Sequence, residues 1–182
     1  YQVLRVQSWG RERGRTIVLQ PKTIIEQLKK CGITHVVWLP DSESKFMYDA
    51  MQAEQDLGFI PVCREGEAFA VASGLWMGGK TPVILIQNTG LFESGDVLRG
   101  TALGLELPLL MMIGYRGYME MKAGKQPFDT AAVYTEPILN TWGIPFHHIE
   151  ADEDTPKIAE AFKQAQEISR PVAALICVEY NE

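Results

Sequence analysis

Pro82-Val83-Ile84-Leu85-Ile86, followed at once by Gln87-Asn88-Thr89-Gly90, is the stretch that decides the fold. A short apolar run without polar alternation suits a strand covered on both faces, the situation in a parallel sheet flanked by helices. The residues before it, 65–77, are rich in Ala and long side chains and stop at Gly78-Gly79, as a helix with a glycine terminator does. Helix, short turn, buried strand and polar turn therefore succeed one another within a few dozen residues.

The same alternation extends in both directions. Toward the N-terminus, Pro21 can start a helix carrying Ile24, Ile25 and Leu28 at helical spacing and ending at Gly32. His35-Val36-Val37-Trp38-Leu39 reads as a strand broken at Pro40, 43–54 as a helix and 59–62 as a strand. Toward the C-terminus a helix is expected over 91–105, where Gly95, Gly100 and Gly104 each cost about 1 kcal/mol relative to Ala. A strand over 108–113 then opens into Gly114-Tyr115-Arg116-Gly117. The segment 118–129 reads as a long loop, which favours function over simple connection. Helices over 132–142 and 155–168 and strands over 145–149 and 172–178 complete the order. Alternating strands and helices are the signature of parallel βαβ units. The expected fold class is α/β: a three-layer α/β/α sandwich around a six-stranded, mainly parallel sheet. No repeat, linker or composition break follows residue 20, so 20–182 reads as one domain and 1–19 as an N-terminal arm or edge strand.

Composition removes several function classes. A net charge of −6 opposes nucleic-acid binding, which draws on clustered Lys and Arg. Arg5, Arg11, Arg13 and Arg15 form the basic cluster, read as a solvated tail. Cys31, Cys63 and Cys177 are odd in number and far apart, so neither a disulfide framework nor a Cys-x-x-Cys metal site is expected, and a reducing cytoplasm fits. Arg, Lys, Glu, Pro or Gly interrupts every apolar run before the roughly 18–20 residues that span a bilayer. The first residues lack a signal-peptide pattern, and with no initiator Met the chain is expected to have lost its beginning.

In an open parallel sheet, ligands bind beyond the carboxyl ends of the strands. That rule selects Pro40-Asp41-Ser42, Arg64-Glu65-Gly66, Gln87-Asn88-Thr89-Gly90 and Gly114-Tyr115-Arg116-Gly117. Each has a plain structural reading. Glu65 is an acid at a helix N-terminus, Asp41 and Ser42 are helix caps, 87–90 is an ordinary strand-to-helix turn, and Arg116 is a surface ion pair.

Taken in order with Glu65-Gly66-x-Ala68 and Gly143-Ile144-Pro145, these loops resemble the amino-terminal domain of the thiamine diphosphate-dependent phosphonopyruvate and sulfopyruvate decarboxylases, over roughly residues 21–149. The resemblance implies that Glu65 hydrogen-bonds N1′ of the cofactor's aminopyrimidine. A carboxyl held in a poorly solvated site can share a proton with that nitrogen and favour the imino tautomer of the 4′-amino group. It implies further that Gln87, Asn88, Thr89 and Gly90 line the pyrimidine pocket or its substrate edge. Asp41 and Ser42 would orient a 2-oxo acid, and Arg116 would pair with a sulfonate or phosphonate through its planar fork of donors. Glu67 is expected to point away, toward solvent or a subunit contact. The phosphonopyruvate branch typically has Gln-His in the long loop, where this chain reads Lys125-Gln126-Pro127-Phe128-Asp129. Its histidines do not substitute: His35 begins a strand, and His147 and His148 should face opposite ways on another.

Such a site needs a second half, Gly-Asp-Gly with a downstream Asn, to hold Mg²⁺ and the diphosphate. Gly95-Asp96-Val97 has only the first two letters and lies inside an expected helix, and no Walker A or Gly-x-Gly-x-x-Gly turn follows a strand. The resemblance therefore implies the alpha subunit of a split enzyme, with a diphosphate-binding beta subunit in an α2β2 or larger assembly. Its expected reaction is sulfopyruvate to sulfoacetaldehyde and CO2, with no metal ligand on this chain. The alternatives are a split decarboxylase or carboligase for another 2-oxo acid such as phosphonopyruvate, a non-catalytic assembly subunit, or a nucleotide-binding α/β domain.

Overall fold

The computed structural model describes residues 19–41 and 45–180, so Ser42 and all but the last residue of the arm or edge strand expected over 1–19 lie outside the described residues. The chain forms a single six-stranded sheet in the order β2-β1-β3-β4-β6-β5. The strands are β1 His35–Trp38, β2 Gly58–Pro61, β3 Pro82–Gln87, β4 Leu110–Gly114, β5 Phe146–Ile149 and β6 Val172–Ile176. Every pairing is parallel, with Val37 opposite both Ile60 and Ile84.

The apolar runs lack alternation because both faces of the sheet are covered. Val36, Trp38, Val83, Leu85, Leu110 and Met112 point into one core, and Val37, Ile84, Ile86, Met111 and Ile113 into the other. The first core is roofed by α1 Pro21–Lys30, α2 Lys45–Ala53 and α8 Pro156–Ile168. The second lies under α3 Glu65–Met77, α4 Asn88–Glu93, α5 Gly95–Val97 and α7 Ala131–Thr141. Pro21 occupies the first helical turn of α1, as its fixed φ and missing N–H allow. His147 and His148 do face opposite ways, to Gln164 on α8 and to Glu136 on α7.

Two expectations need correcting. The helix placed over 91–105 begins earlier, at Asn88 directly behind the strand, and runs as α4, α5 and a π-helical segment Leu98–Leu103. Its ladder persists through Ser94 N–H to Gly90 O and Leu98 N–H to Ser94 O, both 2.9 Å. Within it the hydroxyls of Ser94 and Thr101 turn back onto the Leu91 and Val97 carbonyls, a competition that bends helices. The segment 118–129 is not one structureless loop: it starts with the short helix α6 Tyr118–Lys122. Gly117 makes that turn possible, with φ at 83° and no room for a Cβ, which would meet the Ala132 Cβ at 2.9 Å.

After β1 the chain leaves to one face of the sheet, and after β3 to the other. The divergence opens a crevice beyond the carboxyl ends of two adjacent strands, the position where such sheets bind ligands.

Candidate active site

The expected site residues that the structure describes gather at the carboxyl edge of the sheet, in two adjoining places. The first is the start of α3. Glu65 is the first residue of that helix and is half-buried. Its side chain lies on Gly90 in α4: a Cβ on Gly90 would stand 2.3 Å from Glu65 Cγ and 2.7 Å from both Cδ and Oε1. Any side chain at 90 would displace the carboxyl group.

Glu93, a residue that no sequence signal singled out, joins these two helix starts. Its carboxylate accepts from Arg64 Nε at 2.7 Å and from the Gly66 N–H at 2.8 Å, and pairs with the Arg64 guanidinium. The Arg64 side-chain bond, then the Gly66 N–H, hold the Glu93 carboxyl below its ordinary value. Gly90 and Glu93 share one turn of α4, so the tie through Gly66 sets where the neighbouring Glu65 lands. Glu67 is exposed as expected, and it has a local task as well: Oε2 accepts the Cys63 N–H at 3.0 Å, close to a capping box.

The second place is a cleft of about 590 Å³ at the ends of β1, β3, β4 and β6. Asp41, Gln87 and Arg116 line it, together with Lys125, Phe128 and Asp129 from the segment after β4. Arg116 lies 4.0 Å from Asp129, so the expected ion-pair reading holds alongside its place in the cleft wall. Asp129 also caps α7, its Oδ1 accepting the Ala131 N–H at 2.9 Å. Tyr118 and Lys122 anchor the roof of the cleft: both bond Glu150, Tyr118 at 2.7 Å. Tyr118 also lies 5.0 Å from the Tyr115 ring and 5.2 Å from His148.

The run Gln87-Asn88-Thr89-Gly90 connects the two places, and its residues divide the work. Gln87 faces the cleft, Thr89 is exposed, and Gly90 carries Glu65. Asn88, expected in the pocket lining, is fully buried and is absent from the cleft wall. Its Nδ2 donates to the Arg116 carbonyl at 3.1 Å and to Thr135 Oγ1 at 3.3 Å, while Oδ1 accepts the Thr89 N–H at 3.1 Å. Its part in the site is internal bracing, because a buried amide must satisfy its donors and acceptor within the protein.

A carboxyl group seated on a glycine, beside a cleft at a switch point, can present an acid to one edge of a flat heteroaromatic ring. Residues 21–131 match the family described as thiamine pyrophosphate enzyme, N-terminal TPP binding domain. The chain belongs to that family. Its cofactor is thiamine diphosphate.

Among curated relatives, "Sulfopyruvate decarboxylase subunit alpha" of Methanothermobacter thermautotrophicus is 32% identical over 84% of this chain and 92% of its own length. "Sulfopyruvate decarboxylase" of Methanosarcina acetivorans is 26% identical over 88% of this chain but only 40% of its own length. The crystal structure of benzoylformate decarboxylase from Polynucleobacter necessarius superposes with a TM-score of 0.68, covering 85% of this chain and 29% of that one, at 20% identity. This last likeness concerns the fold. Within the thiamine pyrophosphate enzymes the chain groups with the decarboxylase alpha subunits, and it is an enzyme subunit. Among the described residues no helix is long and apolar enough to cross a membrane, and no cluster of His, Cys, Asp and Glu is placed to hold a metal ion.

Proposed function

We propose that this chain is the alpha, pyrimidine-binding subunit of a cytoplasmic decarboxylase that converts sulfopyruvate to sulfoacetaldehyde and CO2. The observation that carries the reading is the seat of Glu65 on Gly90. There the carboxyl can hold a proton at a ring nitrogen, in a setting that the Glu93 tie keeps fixed. When bound, thiamine diphosphate supplies the electron sink that decarboxylation of a 2-oxo acid requires.

The chain's own residues have separate tasks. Glu65 accepts or shares the proton. Gly90 leaves the room in which the Glu65 side chain lies. The Gln87 amide offers a donor to the 2-oxo acid carboxylate, Asp41 orients the acid or shuttles a proton, and Arg116 offers a fork of donors to a sulfonate. Sulfonate is preferred over phosphonate because the Gln-His pair typical of the phosphonopyruvate branch is missing, and Lys125, Phe128 and Asp129 line the cleft at that point.

A beta subunit is part of the proposal. The Methanothermobacter relative, matched over 92% of its own length, is named a subunit alpha, which supports the view that a second chain completes the enzyme. That chain would carry Mg²⁺ and the diphosphate, in an α2β2 or larger assembly.

The test is reconstitution with a chain bearing Gly-Asp-Gly and a downstream Asn, in thiamine diphosphate and Mg²⁺, with CO2 release measured on a panel of 2-oxo acids. Sulfopyruvate is the expected best substrate, and Glu65→Ala is expected to lower kcat by about 10²-fold or more, the range for a positioned acid or base. Turnover unaffected by Glu65→Ala would overturn the reading, and a better rate on another 2-oxo acid would replace the substrate.

A further inference from the structure

Asn88 differs from the other buried polar side chains. Ser73, Ser94 and Thr155 bond carbonyls three or four residues back in their own turns. Asn88 reaches across the fold, to the Arg116 carbonyl 28 residues away and the Thr135 hydroxyl 47 residues away. Thr135 is itself fully buried and fixed to the Ala131 carbonyl at 2.8 Å. The amide thus joins the start of α4, the loop after β4 and the first turns of α7.

Arg116 is gripped through its backbone from several directions. The preceding Tyr115 N–H donates to Ile176 O at 2.7 Å, and the following Gly117 sits at φ 83° against Ala132. Asn88 holds the carbonyl between them. Arg116's own side chain is 42% exposed, on the cleft wall. A long flexible side chain is aimed by the backbone it springs from, and Asn88 ties that backbone to the loop bearing Gln87 and Gly90.

We infer that Asn88 is a positioning residue for substrate recognition, which acts through Arg116 by fixing its carbonyl relative to the Glu65–Gly90 pair. This rests on the reading of Arg116 as the cation that meets the substrate's sulfonate. A purely structural amide would destabilise the fold when removed, without altering which substrates are preferred.

A double-mutant cycle in the reconstituted two-chain enzyme separates these roles. Asn88→Ala is expected to raise KM for sulfopyruvate about tenfold with kcat changed less than about twofold, and to narrow the preference for sulfopyruvate over pyruvate. In an Arg116→Ala background, Asn88→Ala is expected to add nothing further to KM. Effects that multiply across the two backgrounds, or a loss confined to kcat or to thermal stability, would overturn the inference. If Asn88→Ala fails to assemble, Asn88→Asp keeps the volume but cannot donate to the Arg116 carbonyl, and it carries the same cycle. An Arg116→Ala enzyme with unchanged KM would remove the reading of Arg116 and the inference with it. A raised KM in Arg116→Ala with none in Asn88→Ala removes the inference alone.

Discussion

Glu65 rests on the bare Cα of Gly90, with its Cγ 2.3 Å from where a Cβ would be. The two residues come from different helix starts, α3 and α4, and the contact exists because neither backbone can retreat: Glu93 clamps α4 to the Gly66 N–H at 2.8 Å.

Gly90→Ala is therefore expected to displace the Glu65 carboxyl rather than to unfold the domain. Overpacking of this kind costs about 1–3 kcal/mol. Because a side chain can yield more easily than two helices, most of that should appear at the site. Calorimetric titration of the two-chain enzyme with thiamine diphosphate should show weaker binding by about tenfold to a hundredfold, with the midpoint of thermal unfolding little changed. Unaltered affinity would mean that Glu65 finds an equivalent seat.

The Arg64–Glu93–Gly66 tie should make stability sensitive to acid. The Glu93 carboxyl is held below its ordinary value of 4.5, first by the Arg64 side-chain bond and then by the Gly66 N–H. A depressed folded-state value gives stability that is complete above 4.5 and fades as pH falls toward and past the folded value. Glu93→Gln should remove that part of the pH dependence. At neutral pH it should lower the thermal midpoint by only about 2 °C, since the pair is substantially solvent-exposed. Thermal unfolding followed between about pH 6 and pH 3 checks both, and parallel curves for the two proteins would contradict the assignment.

If Arg116 meets the substrate's sulfonate, Asp129 would compete for it. Its Oδ2 lies 4.0 Å from the guanidinium while Oδ1 caps α7. Asp129→Asn keeps the cap and discards the charge. An exposed ion pair is worth about 0.2–1 kcal/mol, so KM for sulfopyruvate should fall by up to about fivefold. Steady-state kinetics across a salt series would show the difference shrinking as ionic strength rises. A raised KM would mean that Asp129 orients Arg116 instead of competing for it.

Tyr118 holds α6 over the cleft. Burial raises its hydroxyl above the ordinary tyrosine range, so it stays protonated and donates to Glu150 at 2.7 Å. Tyr118→Phe keeps the tilted ring contacts with Tyr115 and His148 but loses a hydrogen bond to a charged group, worth about 1.5–3 kcal/mol. Amides of 119–124 should then exchange with solvent about tenfold faster or more, and those of β4 should not change. Uniform acceleration would point to global destabilisation instead.

Much of the fold was legible because its signals are local. The unbroken apolar run 82–86 announced a strand buried on both faces, and its side chains do alternate between two cores. The glycine stops behind α1 and α3 lie at positive φ, at Gly32 and Gly79. Glu65 stood out because an acid directly behind a short strand, followed by Gly66 and Ala68, is a readable pattern. The pieces that escaped are those set by crowding between elements. The π-helical stretch 98–103 and the helix inside 118–129 depend on how neighbouring turns share space, which periodicity does not record.

Alternating helices and strands, polar loops at one edge and an acid where α3 begins are all written in the order of the residues. Tertiary structure alone decided what each of those polar residues does. Gln87, Asn88, Thr89 and Gly90 are adjacent in sequence yet face a cleft, a buried brace, solvent and a carboxylate. Glu93, with no signal of its own, became the clamp that seats Glu65. The physical reason is that a side chain's direction at a helix start follows from how that helix packs against its neighbours. Here those neighbours are supplied by segments up to 47 residues away.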